Sequence, residues 1–176
     1  MSRRAFTLVE LLVVISIIGL LSTIAIVSLN GARTKARDTK RLADIGQFQK
    51  ALEVYYADNG QYPPSGGATT PNNVWSTSND ASWTTLLGYL RPYMSVLPKD
   101  PTQSASGWGA DPNTYAYSYF STGYGCDRQW YMMVYRLEIG DGLPDTAVKA
   151  CDGSLFMYGT SGGPSLVKTI GTRAGR

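Results

Sequence analysis

A chain of 176 residues, 43% hydrophobic and 16% charged, is long enough for one packed domain plus an extra element and too apolar for wholesale disorder. A net charge of +3 does not by itself point to nucleic acid. With no histidine, the chain can build neither a Ser-His-Asp triad, nor a Cys-His pair, nor a zinc site with imidazole ligands. Its 2 cysteines, Cys126 and Cys151, either pair with each other or need carboxylates to complete a metal site.

From Phe6 to Leu29 the residues are apolar apart from a few small polar ones, and Glu10 is the only charge among them. As a helix this stretch is about 36 Å long at ~1.5 Å per residue, against a bilayer core of ~30 Å, so it fits a membrane span. It is longer than the apolar part of a secretory signal and runs without a small-residue cleavage site into the charged segment Arg33–Asp58. Processing is therefore expected before the apolar stretch. Glu10 is anomalous, because an uncompensated acid at mid-membrane costs about 2.5–3.5 kcal/mol. It either snorkels from near the end of the span or pairs with a positive group from another subunit.

The run Arg3, Arg4, Ala5, Phe6, Thr7, Leu8, Val9, Glu10 resembles the class III signal of type IV pilins and type II secretion pseudopilins. That resemblance implies cleavage by a prepilin peptidase between Ala5 and Phe6, and methylation of the new Phe6 amine. It also implies that Glu10 neutralises the Phe6 amine of a neighbouring subunit during assembly. The precursor would span the inner membrane once. The product would be an extracellular or periplasmic homopolymer, built by a filament assembly machinery. Loss of Arg3 and Arg4 takes the 16 basic residues to 14 against 13 acidic, close to neutrality. Two departures stand out. Ala5 replaces the family's usual glycine, and the span lacks the proline often found late in it. Local melting would fall to Gly19 and the Ser22-Thr23 pair, so a straighter helix is expected. Arg33, Lys35, Arg37, Lys40 and Arg41 would place the C-terminal side in the cytoplasm by the positive-inside rule. The class III motif requires the opposite orientation, and a large folded domain can translocate despite its charge.

Beyond Leu29 the pattern turns amphipathic. Ala36, Leu42, Ile45, Leu52 and Tyr55 or Tyr56 recur on one helical face. Lys40–Asp44 and Lys50–Glu53 are opposite-charge pairs at helical spacing. One helix is expected from about Phe6 to about Ala57, ended by Asp58-Asn59-Gly60 and Pro63-Pro64. Arg33–Arg41 reads as a solvated helix face rather than a nucleic-acid patch, because its charges are mixed and no aromatic interleaves them. The turn at Tyr56, Gly60, Tyr62 and Pro63 is similar to one in pilins and major pseudopilins.

Pro63–Asp80 reads as a surface loop. Trp83, Leu86, Leu87 and Leu90 fit a short helix capped by Asp80 or Ser82. Leu97-Pro98-Lys99-Asp100-Pro101 is a turn resembling one in major pseudopilins. Strands are expected at Thr114–Phe120, Trp130–Ile139 and Ser154–Tyr158, their tyrosines packing a sheet face. Gly159–Arg176 reads as a flexible tail. In an exported head, Cys126 and Cys151 default to a disulfide, as in the C-terminal region of many type IV pilins. Asp141, Asp145 and Asp152, with Asp127, could offer oxygen ligands to calcium, as pseudopilins do in a comparable loop. Aspartate in glycine-rich turns more commonly serves the turn itself.

The reading is an α+β pilin fold. Residues 1–5 form a leader, 6–29 a membrane and filament-core half-helix, 30–58 an amphipathic half-helix, and 59–176 a head with a small antiparallel sheet. Its function is structural and not enzymatic: it is a subunit of a type IV pilus-like filament. The alternatives are a major pseudopilin of a type II secretion system, or a tip or minor pilin. The head of the latter, with its 4 tryptophans and 12 tyrosines, would bind DNA or sugar.

Overall fold

The computed structural model describes residues 6–67, 73–160 and 162–172. The chain divides after Ala36 into two compact units. Helix α1, Leu8–Asn59, begins in the first and continues into the second. It runs unbroken through Gly19, Gly31 and Gly46 and ends where the sequence turns to Asn-Gly. Gly60 takes a left-handed φ of 66° and donates its N–H to Tyr56 O at 2.8 Å, a C-terminal cap that a side chain would strain.

Within the second unit α1 buries Ile45, Phe48, Leu52 and Tyr55, alternating steps of three and four. Burial of a side chain the size of Leu52 contributes about 1.5–3 kcal/mol. Two residues expected on this stripe are not on it: Ala36 is exposed and Leu42 is 43% exposed. The stripe instead continues toward the N-terminus through Arg41 and Asp38, which are charged and buried. The Lys40–Asp44 pair forms at 2.9 Å, whereas Glu53 accepts a hydrogen bond from the Tyr62 hydroxyl at 3.2 Å.

Helix α2, Ala81–Leu90, starts at Asp80, whose carboxylate accepts from Ser82 N at 2.8 Å. Its buried face carries Trp83, Leu86 and Leu90. The strands are β1 (Ser76–Thr77), β2 (Ser118–Phe120), β3 (Met132–Arg136), β4 (Val148–Lys149), β5 (Leu155–Phe156) and β6 (Val167–Gly171). A four-stranded antiparallel sheet has the order β1-β2-β3-β6, and β4 and β5 form a separate two-stranded sheet. Alternation along β2 and β3 sends side chains to two cores. Tyr119, Met133 and Tyr135 join α1 and α2 on one face; Phe120, Met132 and Val134 meet Trp75, Val148 and Val167 on the other.

Three stretches depart from expectation. The strand expected at Ser154–Tyr158 is only Leu155–Phe156 and pairs with β4 outside the main sheet, whose edge β6 occupies. Ser76 and Thr77, inside the expected surface loop, form an edge strand with both residues buried. Val167–Gly171, inside the expected flexible tail, forms the strand that completes the sheet against β3. Its glycine is a packing requirement, since a Cβ at Gly171 would lie 2.0 Å from Tyr131 O. A chain ending at Gly163 is therefore expected to lose the cooperative unfolding transition of the full chain, by circular dichroism on heating. An unchanged transition would mean that β6 adds nothing to the fold.

Candidate functional site

Every side chain described from Phe6 to Leu29 is exposed, the large apolar ones between 45% and 80%. The most apolar 18-residue window of α1 has mean hydropathy 2.7 and none of it is buried. An apolar surface of this size requires lipid or other protein chains around it. Two of the hydroxyls on it are turned inward: Ser16 Oγ donates to Leu12 O at 2.8 Å and Thr23 Oγ1 to Leu20 O at 2.7 Å. These two donors are matched within the helix itself.

Glu10 is engaged locally. Thr7 precedes the helix, and its Oγ1 accepts from Glu10 N at 3.2 Å. Glu10 Oε2 accepts in return from Thr7 N at 2.8 Å and Thr7 Oγ1 at 2.7 Å. This is a reciprocal capping box, Thr-Leu-Val-Glu, which also places a carboxylate at the positive end of the helix dipole. Sequence reasoning weighed snorkelling against pairing and missed this third role, although Thr three residues before Glu was its signal. Oε1 has no hydrogen bond among the described residues. Phe6 is 79% exposed, and Ala5 lies outside the described residues.

The stretch 33–41 is not a uniformly solvated face. Arg41 is fully buried and every one of its N–H donors is used. Nε and Nη2 bind Asp100 Oδ2 and Oδ1 at 2.7 and 2.9 Å, and Nη2 also reaches Thr102 Oγ1 at 2.7 Å. Nη1 binds Asp38 Oδ1 and Glu138 Oε1, both at 2.7 Å. The Tyr115 ring covers the guanidinium, its centroid 4.8 Å away. Asp38 in turn accepts from the backbone N–H groups of Glu138, Ile139 and Gly140 at 2.8, 2.9 and 3.3 Å. Arg37 forks onto Glu138 at 2.7 and 2.5 Å. Burial alone would lower the Arg41 pKa, but the bonds from Asp100 and Glu138 raise it above its ordinary value. The bonds from Arg37, and then Arg41, hold the Glu138 carboxyl down at about 2.

Cys126 and Cys151 form a disulfide with Cα atoms 5.7 Å apart, tying the loop before β3 to the turn between β4 and β5. A loop of this length makes the bond worth roughly 3 kcal/mol by chain entropy. The aspartates do not converge. Asp141 pairs with Lys168 Nζ at 2.7 Å, and that ammonium also donates to Leu143 O at 2.7 Å. Asp145 accepts from Thr169 N, Thr169 Oγ1 and Gly159 N at 2.5, 2.7 and 2.7 Å. Asp152 accepts from Ser154 N at 2.8 Å and Asp127 from Gly123 N at 2.7 Å. Among the described residues no group of three or more His, Cys, Asp or Glu is placed to hold a metal. These residues do not fit a calcium site, because an internal ammonium stands against Asp141 and the other carboxylates are committed to backbone amides.

Residues 1–26 match the model of the prokaryotic N-terminal methylation motif. The chain is 35% identical over 111 residues to the type II secretion system core protein G of Klebsiella michiganensis, covering 62% of this chain and 71% of that one. To the protein of the same name in Escherichia coli it is 34% identical over 111 residues, covering 62% and 69%. To the type IV wide pilus major component PilA4 of Thermus thermophilus it is 31% identical over 95 residues, covering 54% and 72%. No solved structure matches it.

The ion cluster has a pH signature. Glu138 has its carboxyl pKa lowered from 4.5 to about 2, so its stabilisation is complete above pH 4.5 and is lost as the pH falls toward 2. Denaturant midpoints measured from pH 6 to 2 should fall across that window. Glu138→Gln should be less stable at pH 6, with a flatter profile below 4.5. Parallel profiles for the two proteins would mean that Glu138 is not the titrating group.

Proposed function

The chain belongs to the family of type IV pilins and type II secretion pseudopilins, and we propose that it is a structural, non-catalytic subunit of a pilus-like filament. The precursor spans the inner membrane through 6–29, loses its leader to a prepilin peptidase between Ala5 and Phe6, and polymerises with identical copies outside the cytoplasm. One observation carries this reading: an unburied apolar helix whose first turn holds a single carboxylate. The Thr7–Glu10 box does not involve Ala5, so cleavage leaves it intact and exposes a Phe6 amine beside it. Glu10 Oε1 then remains available to the amine of a neighbouring subunit, and burying the two charges together offsets the desolvation of each.

A second reading, the major pseudopilin of a type II secretion system, is favoured by the names of the secretion relatives. The disulfide supports the pilin reading.

Two measurements test the proposal. Mass spectrometry of the mature chain should find it beginning at N-methylated Phe6; a chain retaining Met1 or cut after Leu29 would overturn the processing step. Glutamine at the third helical position preserves a capping box, so Glu10→Gln removes the charge while leaving the cap. Loss of one partner from a buried ion pair costs about 3–5 kcal/mol. Sheared-filament yield is accordingly expected to fall at least tenfold in both Glu10→Gln and Glu10→Ala, with membrane levels unchanged. Wild-type yield from Glu10→Gln alone would reduce Glu10 to a helix cap.

A further inference from the structure

The outer face of the four-stranded sheet, away from α1, carries a groove of about 490 Å³, within the roughly 300–1,000 Å³ range of small-molecule sites. Phe120 and Met132 line it together with Trp75, Tyr158, Thr122 and Tyr124, and no charged side chain does so.

Tyr124 is the unusual member. It has a φ of 56°, a conformation disfavoured for a bulky residue, between Gly123 at 73° and Gly125 at 89°. The fold holds it there from several sides. Tyr124 O accepts from Asp152 N at 3.0 Å, Gly123 O accepts from Trp130 Nε1 at 3.2 Å, and Cys126 is disulfide-bonded to Cys151. The ring packs against Phe156, Trp130 and Phe120, centroids 4.7, 5.8 and 5.9 Å apart, and yet Tyr124 remains 41% exposed, so one side of it faces the groove. A strained backbone that keeps an aromatic ring at the surface is a reason to look for a ligand. Across the groove, Trp75 contacts Phe120 at 5.1 Å and Tyr158 at 5.9 Å between centroids.

The polar rim narrows the chemistry. The Tyr124 and Tyr158 hydroxyls and the Trp75 indole N–H make no hydrogen bond among the described residues. None of the buried side-chain polar atoms described lacks a partner. These groups are therefore open to whatever enters. The groove offers apolar ring faces, neutral donors and acceptors at their edges, and no charge. A nucleic acid strand would need cations here. An apolar side chain would leave the edge groups unmatched. A pyranose ring presents C–H groups from its face and hydroxyls from its rim.

We propose that this groove binds a neutral saccharide, with the Tyr124 ring as its stacking surface and Trp75 and Tyr158 as the opposite wall. The site lies wholly within the second unit and does not depend on the filament reading.

The test uses the full-length protein in a detergent without sugar groups, titrated separately with cellohexaose and chitotetraose, and with heparin as a polyanionic counter-probe. At least one neutral oligosaccharide should give a saturable change in tryptophan emission that added salt does not abolish, with saturation transfer to its ring protons. Tyr124→Gly removes the ring and accepts the left-handed backbone. Losing the contacts with Phe156, Trp130 and Phe120 should lower the unfolding temperature while keeping a cooperative transition, and affinity should weaken roughly tenfold. Tyr124→Phe keeps the stacking face and should lose less. No saturable response to either oligosaccharide, wild-type titration by a folded Tyr124→Gly variant, or a salt-sensitive response to heparin alone would each overturn the proposal.

Discussion

A guanidinium removed from water must be surrounded by oxygen, and the second unit is organised around that demand at Arg41. The side chain comes from α1. Its partners come from the loop after α2, through Asp100 and Thr102, and from the segment after β3, through Glu138. Asp38, one helical turn before Arg41, completes the cage and caps three amides of the post-β3 segment. Replacing a buried ion cluster by apolar groups is often energetically neutral, whereas removing one member costs about 3–5 kcal/mol. The cluster therefore contributes register more than net stability. Only one placement of these segments along α1 leaves no charge stranded.

The two units solve opposite problems with one helix. From residue 37 onward α1 meets a sheet that has a core on each face, and its apolar stripe is fully covered. Before residue 37 its described apolar side chains are exposed. The same 3.6-residue geometry serves both, because what differs is composition: a stripe in one half, apolar residues all round in the other. Helices of the second kind belong in lipid or inside an assembly. A subunit that passes from membrane to filament exchanges one apolar surrounding for another, and a carboxylate in the first turn gains most when a cation enters with it. The Thr7–Glu10 box keeps the acid hydrogen-bonded within its own chain.

The loop after β3 is held by a cation that the chain itself carries. Asp141 and the carbonyl of Leu143 converge on a positive centre, the ammonium of Lys168, delivered by β6. A tethered ammonium needs no free ion to order the loop, and its position depends on the strand that carries it. Closing the sheet and ordering this loop are thus parts of one event.

Much of the chain was legible by itself, and for an identifiable reason. Apolar length, the residues around Ala5 and Phe6, the Asn59-Gly60 stop and a cap at Asp80 or Ser82, of which the fold uses Asp80, are local features, decided by neighbours within a turn or two of backbone. The membrane-length helix, both helix boundaries and the pilin-like α+β class follow from them. The places of β2 and β3 were visible too, the first by the alternation in Thr114–Phe120 and the second by the apolar run Trp130–Ile139, although the strands themselves are shorter, Ser118–Phe120 and Met132–Arg136. What needed tertiary structure was whatever depends on distant partners. Ser76 and Thr77 carry no apolar period, and only pairing with Ser118 and Tyr119 makes them a strand. Val167–Gly171 looks like tail until β3 supplies its hydrogen bonds. The heptad-like spacing of Asp38, Arg41, Ile45, Phe48, Leu52 and Tyr55 was present in the sequence, but a charge at a buried position reads as solvated when its partners, Asp100 and Glu138, lie far along the chain. Leu42 was chosen by polarity and Arg41 by the fold, because burial follows the availability of partners, which spacing alone does not encode.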